Sequence, residues 1–347
     1  MARLKVYLFF ISITSALFLS ISSCEKKEEK PSEKKSMIDL QEKIHRVIVS
    51  TAPSVVKIVS KGKEDSGFIK GLPSESISSG FIIDKDQNHL YIITTNHGIE
   101  SKNLKVVFKG NIKKDATVVG KDKQSDVALL KVSLDQKIKD LPPLKPYTGE
   151  VKVGYFVLAA GSPYNLGSSY TFGIISALHR NFGFSAYEDY IQTDASLNPG
   201  DSGGPLFDIN GRVVGMNSII LESGEGLGFA LPIKTVLEIY KDLREYGYVK
   251  RGWLGVLVRA RNQSNDYEKK LNKGVVITRV FENSPAARAG LKKGDILISI
   301  NGKDIKNPAE LSFILQKLKP DTTITFNILR TKQLKTFKIK IEEKPKG

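Results

Sequence analysis

Short runs of β-branched and apolar residues, separated by glycines and charged turns, fill the chain from residue 54 to about residue 217. Many short strands at regular spacing are typical of an all-β barrel or sandwich. The 347 residues favour two folded domains, and 40% hydrophobic residues are enough for real cores. The pattern therefore predicts a mainly β first domain. Examples of these runs are Val55–Val59, Ser79–Ile83, Leu104–Phe108, Ala116–Gly120 and Tyr155–Ala160.

A glycine-rich bend, Asn198 to Leu206 (NPGDSGGPL), contains the strongest candidate nucleophile, Ser202. Glycines accept left-handed backbone angles and let a substrate approach closely. The amides of Gly200 and Ser202 can then point together at a developing oxyanion. A surface turn with an incidental serine has the same composition, so the assignment requires a base and an acid elsewhere in the chain.

His97 is the candidate base. It ends the apolar run that begins at Leu90, where a barrel strand would deliver a side chain to a cleft. The alternative is a buried, hydrogen-bonded core histidine. The other three histidines lie in an amphipathic helix or in turns and are interpreted as surface or capping residues: His45, His89 and His179.

Asp126 is the candidate orienting acid, because it directly precedes the short apolar strand Val127–Val132, which would fix its position. Asp122 is the rival. Its neighbours Lys121 and Lys123 favour a solvated loop.

With the order His97, Asp126, Ser202, the chain resembles the HtrA/Deg family of trypsin-like serine proteases over about residues 37 to 343. The resemblance implies two six-stranded β-barrels with the triad in the cleft between them, and an acyl-enzyme mechanism without metal or cofactor. Two positions depart from the family pattern: Asp201 replaces the usual Asn, and Gly98 replaces a branched apolar residue. The matching motifs are TTNH (94–97), SDVALLK (125–131), GSPY (161–164), TFGIISA (171–177), IQTDA (191–195), the bend itself and GLGFALP (226–232).

The specificity pocket is predicted to accept small or medium apolar P1 residues. Trypsin-like proteases that cut after Lys or Arg have an acid six residues before the nucleophile, where this chain has Ser196. Met216, Ile219 and Ile220 follow in the segment that would line the pocket wall, and plain strand packing is the alternative role for each.

The C-terminal part resembles the PDZ domains of HtrA proteases. Trp253, Leu254, Gly255 and Val256 match the carboxylate-binding loop, and residues 284–302 match the PDZ signature. An extended peptide would add as a strand beside this loop while backbone amides hold its C-terminal carboxylate. The alternative for Trp253 and Leu254 is core packing at a strand start.

Residues 1–23 have the charge and apolar run of a targeting segment, and Ile21 to Cys24 resembles a bacterial lipoprotein cleavage box. The alternative is an uncleaved anchor. Cys24 is the only cysteine, which excludes an internal disulfide.

A charged tether at residues 24–36 is predicted to precede a helix, a protease domain at 37–248 and a PDZ domain at 250–343.

The charge is uneven: residues 250–347 hold 22 Lys and Arg against 9 Asp and Glu. A solvated surface is the simpler interpretation, and attraction to acidic lipids or clients is the other. No nucleic-acid motif is present.

The predicted function is a membrane-tethered, homotrimeric endopeptidase of the bacterial cell envelope that cleaves unfolded proteins and binds C-terminal peptides. The alternatives are a proteolytically silent chaperone or scaffold and a PDZ-regulated sensor protease.

Overall fold

The computed structural model describes residues 31–61, 75–99, 101, 103–163, 167–182, 188–220, 226–262, 269, 271–343 and 345. The predicted targeting segment and Cys24 lie outside these ranges. Within them, every helix is too short or too polar to span a bilayer.

The first helix, α1 (Pro31–Thr51), begins inside the segment predicted to be a flexible tether. Proline is well accepted in the first turn of a helix, and the Glu and Lys residues that follow are good helix formers. Near its end Val47 and Thr51 are buried, and the Thr51 hydroxyl donates to the Val47 carbonyl at 2.8 Å. A 3-10 turn, Ala52–Ser54, then leads into the first strand.

Six strands close into the first barrel in the order β1-β2-β3-β6-β5-β4. Alternating apolar side chains fill its interior, and Ile58, Ile92 and Leu130 are fully buried there. β3 pairs with β6 along its whole length, so the end of β3 lies beside the start of β6. The strands are β1 (Val55–Lys61), β2 (Glu75–Lys85), β3 (His89–Thr95), β4 (Leu104–Phe108), β5 (Ile112–Asp122) and β6 (Val127–Ser133).

A second closed barrel follows in the order β10-β11-β12-β9-β8-β7, which confirms the predicted pair of six-stranded barrels. The candidate nucleophile lies in the connection between β9 and β10. The strands are β7 (Phe156–Gly161), β8 (Ser169–Arg180), β9 (Tyr190–Thr193), β10 (Pro205–Asp208), β11 (Val213–Ile220) and β12 (Gly228–Pro232).

Helix α2 (Ile233–Tyr246) ends the barrel region, and Gly247 caps it in a left-handed conformation with φ 77°. Its apolar face, which includes Val236, Ile239 and Leu243, is buried as its spacing predicts.

In its described residues, the C-terminal domain has a six-stranded sheet, a two-stranded sheet and two named short helices. Five strands run in the order β14-β15-β16-β18-β19, β17 pairs with β16, and β13 pairs with β20. Leu254, Ile324 and Phe326 lie in its core. The elements are β13 (Gly252–Trp253), β14 (Val256–Arg259), β15 (Val275–Val280), α3 (Pro285–Arg288), β16 (Ile296–Ile300), β17 (Lys303–Asp304), α4 (Pro308–Lys317), β18 (Thr323–Arg330), β19 (Gln333–Lys340) and β20 (Glu342–Glu343).

Candidate active site

His97 and Asp126 meet where β3 ends and β6 begins. The two strands pair up to Thr95 and Val127, and the Asn96 amide donates to the Asp126 carbonyl at 2.9 Å. The Asp126 carboxylate accepts two hydrogen bonds from His97, one from its backbone amide at 2.9 Å and one from ring Nδ1 at 2.6 Å. Because an ionised carboxylate can only accept, this contact assigns the proton to Nδ1 and leaves the lone pair on Nε2.

The backbone at Asp126 is strained. Its φ of 56° lies in the left-handed region that residues other than glycine rarely adopt. Such a conformation costs about 1–3 kcal/mol and persists where the surrounding structure fixes it. The His97 side chain is 54% exposed and that of Asp126 27%, so the ring faces solvent while the carboxylate behind it is partly covered.

The bend that carries Ser202 packs against the first barrel. A Cβ added to Gly203 would lie 2.2 Å from the Ser79 carbonyl oxygen and 3.0 Å from the Thr95 amide, and its φ is 88°. Glycine is therefore required there by both space and conformation. The Ser202 carbonyl accepts from the Ser79 amide at 2.9 Å. The candidate nucleophile is thus brought against the strand that leads to His97.

Two amides of the bend are available for an oxyanion. Among the described residues, no acceptor pairs with the amides of Gly200 and Ser202. These are the two predicted oxyanion donors. Three other amides of the bend have acceptors: Asp201 donates to the Asn198 carbonyl (2.9 Å) and Gly204 to that of Asp201 (2.9 Å), both within the bend, and Gly203 donates to the Asn217 carbonyl on β11 (2.7 Å).

Asp201, beside the candidate nucleophile, is a buried carboxylate with a hydrogen bond to only one of its two oxygens among the described residues. It is 5% exposed, and Oδ2 accepts from the Asn198 amide at 2.9 Å. Oδ1 has no partner among the described residues and lies against Gly161, where an added Cβ would approach it to 2.3 Å. Burial disfavours the charged form and raises the pKa of Asp201 to about 6.

We expect Asp201→Asn to stabilise the protein at about pH 8 and to have little effect at about pH 4. The pKa of Asp201 rises from 3.8 to about 6 on folding, so wild-type stability falls as pH increases through this interval and stays lower above it. A shift of two pKa units corresponds to up to about 3 kcal/mol. Melting temperatures of both proteins across this range provide the measurement. A difference that does not change with pH would contradict the expectation.

Gly98, the other departure from the family pattern, has a local explanation. A Cβ there would lie 2.5 Å from Ser78 Oγ, so the Ser78 side chain already occupies the space that a larger residue at position 98 would need. The glycine at position 98, in place of a branched apolar residue, changes the packing beside His97 and removes no catalytic group.

The rival acid, Asp122, has a different role. It is the last residue of β5 and only 7% exposed, so the expectation of a solvated loop is wrong. Its Oδ2 accepts from the Ser125 amide at 2.9 Å and from Arg251 Nη2 at 2.5 Å. The Asp122 carboxylate therefore holds the turn that leads to Asp126. Because it is already paired with Arg251, it is not available to orient His97.

Of the remaining histidines, His89 and His179 have no hydrogen bond or ion pair with the described residues of the bend. His45 is exposed on α1. His179 is exposed and pairs with Asp189 at 2.7 Å, and His89 lies 3.4 Å from Asp86. A contact between histidine and carboxylate is therefore not specific to the candidate site, and the neighbouring bend is what distinguishes His97.

The predicted pocket wall is only partly visible. Met216 is fully buried on β11, so its side chain reaches no open surface and does not line an accessible pocket. Its role in this structure is strand packing, the alternative considered for it. Ile219 and Ile220 pair through their backbones with Phe229 and Gly228, and their side chains lie outside the described set.

Leu197, which the sequence patterns did not single out, lies over the start of β12. A Cβ on Gly228 would come within 2.8 Å of Leu197 Cδ1. Ser196, at the position of the missing acid, is exposed, and its carbonyl accepts from the Thr171 hydroxyl at 2.8 Å. The approach of Leu197 to Gly228 depends on how the connection between β9 and β10 folds over β12. No local sequence pattern could therefore reveal it. Position 196 carries no acidic side chain, and the half-buried Leu197 beside it is apolar.

The predicted peptide-binding loop lies at the edge of the C-terminal sheet. β14, which starts at Val256, pairs only with β15 among the described strands. Leu254 is buried in the core, and a Cβ on Gly255 would lie 2.1 Å from Ser284 Cβ, with φ 82°. The carbonyls of Leu254 and Gly255 accept hydrogen bonds, whereas their amides donate to no described residue. Trp253 packs 6.1 Å from the Phe281 ring.

Comparison with known families divides the chain in the same way. Residues 78–216 match the trypsin-like peptidase domain, and residues 252–341 match the PDZ domain. The C-terminal match contains all four predicted residues of the peptide-binding loop.

Curated relatives are similar over most of the chain. A probable periplasmic serine endoprotease, DegP-like, from Pseudomonas fulva is 40% identical over 279 residues, which are 78% of this chain and 57% of the relative. The equivalent protein of Bartonella henselae is 36% identical over 78% of this chain and 54% of its own length. The chain thus spans slightly more than half the length of these relatives.

Solved structures are similar over almost their full length. The HtrA-type protease AlgW with decapeptide is 31% identical with a TM-score of 0.73, and the match covers 88% of this chain and 99% of that one. A serine endoprotease from Yersinia pestis is 30% identical with a TM-score of 0.67, covering 87% and 98%.

Proposed function

The chain belongs to the HtrA-type family of trypsin-like proteases with a PDZ domain, and from that premise we propose that it is a serine endopeptidase. The observation that carries the proposal is the contact at 2.6 Å between His97 Nδ1 and Asp126 Oδ2, beside a bend whose Gly200 and Ser202 amides lack acceptors among the described residues. Acyl transfer requires a base with a fixed tautomer to activate the nucleophile. It also requires hydrogen-bond donors that can stabilise the oxyanion.

In the proposed mechanism, Ser202 Oγ attacks the peptide carbonyl while His97 Nε2 accepts its proton. Asp126 holds the tautomer and stabilises the imidazolium. The amides of Gly200 and Ser202 bind the oxyanion of the tetrahedral intermediate. His97 then gives the proton to the leaving amine, which completes the acyl-enzyme. Water, deprotonated by His97, attacks the ester and releases the new carboxyl end while the proton returns to Ser202.

The proposed substrates are unfolded proteins, cut after small or medium apolar residues such as Val, Ala or Ile. The support is Ser196 in place of an acid and the apolar contact of Leu197 with Gly228. A pocket without a buried carboxylate leaves a lysine or arginine side chain unpaired, which is costly.

Mass spectrometry of the fragments from a denatured, unlabelled model protein tests activity and P1 preference together. We expect cleavage mostly after Val, Ala and Ile, with no enrichment of Lys or Arg at P1. The same substrate incubated without enzyme gives the background. Fragments that end predominantly in Lys or Arg would contradict the proposed pocket while leaving the peptidase activity intact.

The proposed role of the C-terminal domain is to bind free C-termini. Its support is the edge of β14 that no other described strand pairs with, together with the amides of Leu254 and Gly255, which have no acceptor among the described residues. We expect an apolar peptide with a free carboxylate to bind at least about tenfold more tightly than the same peptide with a C-terminal amide, because amides pair strongly with a charged acceptor. Fluorescence anisotropy of the two peptides measures this. Equal affinities would exclude carboxylate recognition.

The proposed location is the extracytoplasmic side of the bacterial envelope, with a lipidated Cys24 as the tether and a homotrimer as the assembly. The similar proteins are named periplasmic, and residues 21–24 have the composition of a lipoprotein cleavage site. The role would be removal of misfolded envelope proteins. Mass analysis of the mature N-terminus tests the tether: a chain that begins at acylated Cys24 supports it, and one that retains Met1 contradicts it.

A further inference from the structure

Ser79 of β2 uses all four of its polar functions at the junction of the two barrels. It is fully buried. Its amide donates to the Ser202 carbonyl at 2.9 Å, and its hydroxyl donates to the Gly200 carbonyl at 2.6 Å. The hydroxyl also accepts from the Ser162 amide at 2.8 Å, and its carbonyl accepts from the Thr94 hydroxyl at 2.7 Å. One residue of the first barrel thus holds two segments of the second.

These bonds fix the two peptide planes that flank the plane carrying the Ser202 amide. In the plane that joins residues 200 and 201, the carbonyl is bound by Ser79 Oγ and the amide by the Asn198 carbonyl. In the plane that joins residues 202 and 203, the carbonyl is bound by the Ser79 amide and the Gly203 amide by Asn217. A plane held at both ends cannot rotate without breaking two hydrogen bonds.

The orientation of the catalytic donors follows from this anchoring. The amides of Gly200 and Ser202 must point to one spot to stabilise an oxyanion, and displacement of a donor by a fraction of an ångström weakens this effect. Glycines at 200 and 203, with φ of 105° and 88°, make the bend intrinsically adaptable. The bend therefore depends on external bonds for its shape, and Ser79 supplies two of them.

We propose that Ser79 is a positioning residue for the oxyanion hole, acting through the backbone of Gly200 and Ser202. This inference rests on the proposed peptidase function. Loss of the Ser79 hydroxyl leaves the half-buried Gly200 carbonyl and the buried Ser162 amide without this partner, and the bend shifts to recover hydrogen bonds. Ser79 touches neither substrate nor the reacting atoms. Its removal reduces stabilisation of the transition state and leaves ground-state binding of the substrate unchanged.

Ser79→Ala and Ser78→Ala form a matched pair. Ser78 is the preceding residue of the same strand and is 2% exposed, but its hydroxyl has no partner among the described residues. Both substitutions remove one buried oxygen from β2, and only one of them removes a bond to the bend. Melting temperatures of the two variants report any general loss of stability.

For Ser79→Ala we expect kcat on a fluorogenic peptide to fall by about 10- to 100-fold with KM unchanged, since loss of one full oxyanion donor costs about 100- to 1000-fold. Affinity for a peptidyl boronate, which forms a tetrahedral adduct, falls by the same factor. Ser78→Ala keeps both quantities within about twofold. Equal kcat and boronate affinity in the two variants would overturn the proposal. If Ser79→Ala does not fold, Ser79→Cys, which keeps a weak donor, must show the same kcat-selective loss.

A wild type that neither cleaves peptides nor binds the boronate would refute the proposed function instead. In that case hydrogen exchange of residues 198–204 decides the inference, because it needs no turnover. Faster exchange in Ser79→Ala than in Ser78→Ala supports the anchoring role, and equal exchange overturns it.

Discussion

Ser202→Ala lowers kcat on an unfolded protein by about 10,000-fold or more, because no other group can form the acyl-enzyme. The residual rate is that supported by binding and by the oxyanion donors. The contacts of Ser202 that hold the bend are made by its backbone, and within the described part of the chain its hydroxyl donates only to the Ser218 carbonyl, at 3.4 Å. The variant therefore keeps its fold. Single-turnover assays with a labelled, denatured substrate, together with a melting curve, give both quantities.

Ser78→Ala is a suitable control for this experiment, since it also removes a hydroxyl near the barrel junction and leaves the nucleophile in place. If hydrolysis persisted in Ser202→Ala at more than about one hundredth of the wild-type rate, another group would have to be the nucleophile.

Asp126→Asn lowers kcat by about 10,000-fold while leaving the geometry of the site intact. The asparagine carbonyl can still accept from the His97 amide. Its NH2 group faces ring Nδ1 and donates to it, which moves the ring proton to Nε2. An imidazole that is protonated at Nε2 cannot accept a proton from Ser202. The loss therefore arises from the wrong tautomer, and the measurement is kcat at saturating substrate, accompanied by a melting temperature.

Asp189→Asn is the matched control. Asp189 contacts His179 Nδ1 at 2.7 Å, nearly the distance in the candidate dyad, but that pair is exposed and has no hydrogen bond or ion pair with the described residues of the bend. We expect an effect of less than about twofold. Comparable losses in both aspartate variants would mean that the dyad has no special role.

The fold could be predicted from the sequence because its determinants are local and repeated. Short apolar runs such as Val127–Ser133, separated by glycine and charged turns, specify strands, and the resemblance to a known family specifies how many close into each barrel. The place of His97 at the end of one apolar run and of Asp126 before another makes each a candidate, whereas the resemblance to the family is what implies that they act together. Their catalytic role, like that of Ser202, stays a prediction.

Contacts between distant segments could not be predicted. Ser79 and Gly200 are 121 positions apart, and nothing in the alternation of β2 distinguishes Ser79 from Ser78. The flanking lysines of Asp122 give the pattern of a solvated loop, whereas its partner, Arg251, belongs to the C-terminal domain. The place of Met216 in the sequence predicts a pocket wall, whereas its burial depends on which face of the strand points inward.

Reaction with a fluorophosphonate, followed by peptide-level mass spectrometry, tests the central claim most directly. The phosphonyl group is transferred only to a serine whose hydroxyl is activated by a neighbouring base beside a formed oxyanion hole. The account predicts one adduct on Ser202, which is lost in His97→Ala although the serine itself remains. Failure of the folded wild-type protein to react, or an adduct on Ser202 that forms equally well without His97, would contradict it.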